Sequence, residues 1–221
     1  MFTPKEITPD DILKRGMPPY FISDFLEYVE SLQIFKDLHT PIKREPAKLQ
    51  KIVHQYKQIV ADFKPKIRMK KGEYYGRIIY FTDFQYYSCF WDINRIKKHI
   101  KRNPRRIYEI PVKILWDSVD KEEIDWRYVE KRNNKEPVIL VNFNPANEIF
   151  VIDGNHRVAK QYKKAPNSTM RAVVLTEEEQ LRFMAADYCR ILYAIHQNIT
   201  TTINYIAGAR DDLPLLDVQY D

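Results

Sequence analysis

The chain has 221 residues, 44% of them hydrophobic and 30% charged, with five glycines, two cysteines and a net charge of +6. That composition excludes a disordered or collagen-like chain and leaves room for one large or two small domains. No 18-residue apolar run is present and the N-terminus lacks an apolar stretch after a basic start, so the expectation is a cytoplasmic protein with no membrane span and two reduced, buried thiols, Cys89 and Cys189. The charge is uneven: residues 42–113 carry 19 Lys/Arg against 6 Asp/Glu, whereas both flanks are net acidic. A basic field of that size favours an anionic partner.

In chain order, residues 20–35 carry Phe21, Phe25, Tyr28, Val29 and Leu32 at helical spacing. Residues 46–63 form a second helical stripe behind Pro46. Residues 73–84 are aromatic and β-branched and predict a strand or hairpin arm. Nine aromatics fall within 74–91, as core or as base-stacking groups. Residues 92–104 predict a short amphipathic helix with Ile93, Ile96 and Ile100 inward and Lys97, Lys98 and Lys101 outward, ended by Pro104. A strand over 108–115, a helix over 121–134, a strand over 136–143, a turn at 144–147 and a strand over 148–152 follow. A helix over 155–164 and a strand over 170–175 complete this part. Thr176 and Glu179 have capping-box spacing and open a long helix that ends near Gly208, before a tail at 209–221. The expected organisation is an α-rich, basic region over 1–104, a compact core over 105–176, and a C-terminal helix with its tail over 177–221.

The break at 152–157, "IDGNHR", has the most chemistry in it. A strand that stops at Asp153-Gly154 and restarts as a helix lets the backbone turn sharply, and it leaves free N–H groups at the helix N-terminus. Those groups and the helix dipole attract an anion, phosphate above all. His156 and Arg157 are at the end of the helix that the dipole makes unfavourable for cations, which makes sense if an anion sits beside them. Arg157 offers a bidentate fork. His156 is a phosphate ligand or a proton shuttle. Asn155 donates or accepts, and Asp153 is a helix cap or a Mg²⁺ ligand. Separately, Lys97, Lys98, Lys101, Arg102, Arg105 and Arg106 form an acid-free run that is either a nucleic-acid contact or a solvated helix face.

"PVILVN", "NEIFVIDGNHRVAKQYKK" and "MRAVVL" together resemble the core of the ParB/sulfiredoxin superfamily. In that family a strand and turn precede an Asp-Gly-x-His-Arg motif that opens a helix. The likeness covers about 70 residues, with a looser fit over 109–132. It implies an α+β fold: a small mixed-sheet core, a helical N-terminal extension and a long C-terminal helix. Sulfiredoxins place a catalytic cysteine where this chain has Asn155, so that chemistry is excluded. The partition proteins carry a richer arginine box, from which His156 and Ala159 depart, and a helix-turn-helix for which too little chain remains. The variant is most similar to free-serine kinases and other nucleotide-using members, with DNA-modification and defence proteins as a further branch. By that resemblance a nucleoside di- or triphosphate with Mg²⁺ is held by Gly154, Asn155, His156 and Arg157. An upstream acid among Asp117, Asp120, Glu122 and Glu123 would serve an acceptor hydroxyl, with Glu122, Glu123, His156 and Asp153 the catalytic candidates. The implied activity is nucleotide hydrolysis or phosphoryl transfer. The rival expectation is a DNA-associated module that uses the basic 42–113 region.

Overall fold

The computed structural model describes residues 8–63, 71–82, 84–121, 124–131 and 135–218. Helix α1 (Pro9–Arg15) is capped by Thr8 through a capping box with Asp11, and Gly16 ends it at φ +69°. Strand β1 (Tyr20–Phe21) and helices α2 (Ser23–Glu30) and α3 (Gln33–Asp37) replace the single helix expected over 20–35. The break falls at Leu32, whose left-handed backbone (φ 63°) cannot continue a helix. Helix α4 (Ala47–Asp62) follows the predicted stripe and buries Leu49, Val53 and Tyr56. Strands β2 (Tyr74–Tyr80) and β3 (Tyr86–Asp92) come next, then α5 (Ile93–Arg102), N-capped by Asp92.

Strand β4 (Tyr108–Pro111) stops earlier than expected, and Val112–Asp117 forms helix α6 instead of the end of a strand. Val112 and Leu115 have helical spacing and are both fully buried, so packing favours the helix over the β-branched composition. Helix α7 (Trp126–Lys131), strands β5 (Val138–Phe143) and β6 (Glu148–Asp153), helix α8 (Asn155–Lys164) and strand β7 (Thr169–Leu175) follow the predicted order. The expected long final helix is two, α9 (Glu177–Arg182) and α10 (Asp187–Ile206). Between them the backbone bonds to β3 instead: Asp92 N–H donates to Phe183 O at 3.0 Å, and Ala185 N–H to Phe90 O at 2.7 Å. No helix among the described residues is long and apolar enough to cross a membrane. The fold is α+β with a long C-terminal helix.

The chain forms two compact units. The first comprises Met1–Lys70, Gly76–Phe90 and Ala185–Asp221. In it α10 packs against α4, and α4 against α2. Asn198, buried on α10, donates to Tyr56 Oη at 2.7 Å and bonds both backbone groups of Leu216, which ties down the tail. Most of the aromatic 74–91 stretch is core: Tyr75, Tyr86, Tyr87, Phe90 and Trp91 are buried.

The second unit comprises Lys71–Tyr75 and Trp91–Met184. It therefore takes in α5 and α9, which the expected boundaries at 104 and 176 left outside the core, while α10 belongs to the first unit. Its four-stranded mixed sheet has the order β4-β7-β5-β6. β7 is antiparallel to β4 and parallel to β5, and β5 is antiparallel to β6. The β5–β6 turn closes on Asn147 at φ 53°, a conformation asparagine tolerates. α6 and α7 pack on α8, and Leu115, Val129, Val138, Leu140, Val151 and Val158 meet in one apolar cluster. That cluster fixes the start of α8 at the end of β6.

Candidate anion site at the start of α8

Gly154 is the N-cap of α8, with φ +103°, and no side chain caps the helix. Its backbone oxygen accepts from Arg157 N–H (2.8 Å) and Val158 N–H (3.0 Å). A Cβ at this position would lie 2.7 Å from Val138 Cγ1 and 2.8 Å from Arg157 Nη2, so the turn needs glycine for space as well as conformation. Asp153, Gly154, His156, Arg157 and Lys160 line a cavity of about 280 Å³ together with Glu73 and Lys97.

Asp153 sits between two cations. Its Oδ2 accepts from Arg157 Nη2 at 2.8 Å, and its Oδ1 is 3.1 Å from Lys97 Nζ. Lys97 also reaches Glu73 at 3.2 Å. Partial burial alone would lower the Lys97 pKa, but the Asp153 and Glu73 carboxylates outweigh it and hold the ammonium above the ordinary lysine range. Arg157 Nη1 donates to the Glu136 carbonyl and, at 3.3 Å, to that of Pro137. The Asp153 and Arg157 side chains are only 13% and 12% exposed, so this pair is nearly out of solvent. Both Asp153 oxygens are engaged by cations, and the described residues contain no group of three His, Cys, Asp or Glu that could hold a metal ion. The residues present do not fit a magnesium ion held by Asp153.

His156 Nε2 accepts the Asp125 backbone N–H at 3.2 Å, and its ring meets Tyr128 edge-on at 4.9 Å. Asn155 Oδ1 is buried with no hydrogen-bond partner among the described residues. Glu122 and Glu123 lie outside the described residues. Asp117 and Asp120 are not among the residues lining the cavity, and the upstream acid there is Glu73.

The basic run is split. Lys97 does not face solvent with Lys98 but turns to Asp153. Lys101 lines an adjoining, mainly aliphatic cavity of about 300 Å³ with Ile100, Pro137, Ile139 and Val173, which shares Lys97 and Asp153 with the first. Arg106 lies over the Tyr108 ring at 4.9 Å. Arg105 makes a two-pronged pair with Glu179, both bonds 2.7 Å, and His99 Nε2 is 3.0 Å from the same carboxylate. Lys98, Lys101, Arg102 and Arg106 are exposed and without an ionic partner among the described residues.

The Arg105 fork, with lesser help from the Thr176 backbone and His99, holds the Glu179 carboxyl down at about 2 against the pull of partial burial. A depressed carboxyl stabilises the fold above its unfolded value near 4.5, and that contribution fades as pH falls toward about 2. Glu179→Gln should therefore lower stability at neutral pH by about 2 kcal/mol, with the gap to the wild type closing through that acid window, as read by urea melts across pH.

Glu73 and Lys160 were not singled out as site residues from the sequence, and Lys97 was singled out only as part of the basic run, for nucleic acid and not for this cavity. Lys160 had a signal: 156, 157 and 160 share one helical face. Lys97 and Glu73 had none, since only tertiary folding brings 73, 97 and 153 together. No protein-family model, curated protein or solved structure matches this chain.

Proposed function

We propose that the second unit binds a phosphorylated organic ligand, a nucleoside di- or triphosphate by the ParB/sulfiredoxin likeness of residues 137–175, with its phosphate at the start of α8. The observation that supports this reading is the convergence of Lys97, Arg157 and Lys160 on a cavity at a helix N-terminus that no side chain caps. Among the described residues three cations and two carboxylates line the cavity, and the helix dipole adds positive potential at the start of α8. Asp153 then acts as a place-holder: it neutralises Lys97 and Arg157 until a phosphate competes for them. The aliphatic cavity across the Lys97–Asp153 pair offers room for the organic part of the ligand.

On this reading the reaction class is nucleotide hydrolysis or phosphoryl transfer, in which the protein supplies position and charge rather than covalent chemistry. His156 would have to give up the Asp125 bond before Nε2 could accept a proton, so the chain's own contribution is binding and orientation.

Melting the intact protein with inorganic phosphate and a panel of nucleotides, with and without Mg²⁺, tests the proposal. A ligand at a hundred times its Kd should stabilise by about 2.7 kcal/mol, and Arg157→Gln should remove the effect. No shift with any phosphate compound would sink the reading.

A further inference from the structure

The second unit holds another cavity, of about 530 Å³, whose walls include Arg95, Lys98, His99, Arg102, Arg182 and Phe183. Arg95, Lys98, Arg102 and Arg182 are exposed, and none has a carboxylate partner among the described residues. In the same unit Lys97, Arg105 and Arg157 all have one. The nearby acid, Glu179, is committed to Arg105 and His99. Four like charges around one concavity repel each other, and nothing described inside the fold offsets them.

The arrangement is linear. Positions 95, 98 and 102 are i, i+3 and i+7 on α5 and so form one stripe along the helix. It is about 10 Å long at 1.5 Å per residue, which matches three steps of about 3.4 Å, the axial span of four successive phosphates of one strand of a duplex. Arg182 extends the set from the end of α9. Two of the guanidinium groups are held in place by the Phe183 ring, Arg95 at 5.6 Å and Arg182 at 6.0 Å from its centroid. Phe183 itself is 4% exposed and its ring is further covered by His99 at 5.1 Å. It offers no face for a base to stack on, which argues against a single strand.

We propose that this cavity is a docking site for the backbone of a nucleic-acid duplex. It is separate from the α8 site, grips phosphates without reading bases, and rests on charge and spacing alone.

The test is duplex DNA of arbitrary sequence binding the full-length protein, followed by fluorescence anisotropy. Four phosphate contacts predict a salt slope near −3.6 and a loss of about a hundredfold between roughly 50 and 200 mM salt. The combined variant Arg95→Gln, Lys98→Gln, Arg102→Gln, Arg182→Gln should flatten that slope and weaken low-salt binding by about a hundredfold. Its melting point should not drop, since all four side chains are exposed. A charge-matched control, Lys113→Gln, Lys121→Gln, Lys135→Gln, Lys164→Gln, which also removes four exposed lysine charges, should bind as the wild type does. The proposal is overturned if the wild type does not bind duplex at low salt, if the fourfold variant binds as tightly as the wild type, or if the control loses as much. Binding to phosphatidylserine vesicles in place of duplex would overturn it too. Arg157→Gln should leave duplex binding intact while removing any phosphate-induced stabilisation, so the two readings fail separately.

Discussion

Asp153→Asn is expected to destabilise the second unit by about 2–3 kcal/mol and, in the same protein, to enlarge the stabilisation conferred by phosphate. The first effect follows from burial. The carboxylate is 13% exposed and sits 2.8 Å from Arg157 and 3.1 Å from Lys97. Removing its charge leaves the nearly buried Arg157 guanidinium without a carboxylate and Lys97 with Glu73 alone. The second effect follows from competition. On the place-holder reading, phosphate must displace Asp153 in the wild type, whereas in the variant Lys97 keeps only Glu73 and Arg157 keeps only the Glu136 and Pro137 carbonyls. Urea melts with and without phosphate measure both effects in one experiment. A variant that phosphate stabilises no more than the wild type would show that these cations serve the fold alone.

Gly154→Ala should cost about 3 kcal/mol and abolish the phosphate response. The backbone there is at φ +103°, where a side chain is strained, and the new methyl would press on Val138 Cγ1 and Arg157 Nη2. Neither neighbour can move away easily: Val138 is fully buried, and Arg157 is held by Asp153 and by the carbonyls of Glu136 and Pro137. Gly16→Ala is the matched control. Gly16 also has a positive φ (+69°), but nothing lies within 4 Å of its would-be Cβ. That change should cost about 1 kcal/mol, the conformational part alone. Equal losses at both positions would mean that crowding at the α8 turn contributes nothing.

Where local pattern and tertiary packing agree, the architecture could be read from residue order. β5, its turn, β6, α8 and β7 emerge from an apolar run, an Asn-Pro break and the Asp-Gly stop. The Thr176–Glu179 capping box forms as spaced. The misreadings share a cause. The stripe through Leu181, Met184, Ala185 and Tyr188 continues without Gly or Pro, yet residues 183–186 leave the helix because β3 takes their backbone hydrogen bonds. Leu32 breaks a helix with no local signal at all. The same limit governs the candidate site. The stretch 153–157 stands out because its residue types conflict with the helix dipole. Lys97 could not be found this way. Its helix is amphipathic and the periodicity assigned it to solvent, whereas the fold assigns it to Asp153.

The second unit is interleaved with the first along the chain, since Lys71–Tyr75 belongs to it and Gly76–Phe90 does not. Glu73 lies in that short detached segment, where its carbonyl accepts from Ile93 N–H and its carboxylate holds Lys97. A gene fragment encoding only 91–184 would carry Arg157, Asp153 and Lys97 but not the acid that shares Lys97 with Asp153. The site is therefore not contained in 91–184, and a segment that carries it whole has to start by residue 73 and so carries β2 and β3 as well, although Gly76–Phe90 belongs to the first unit.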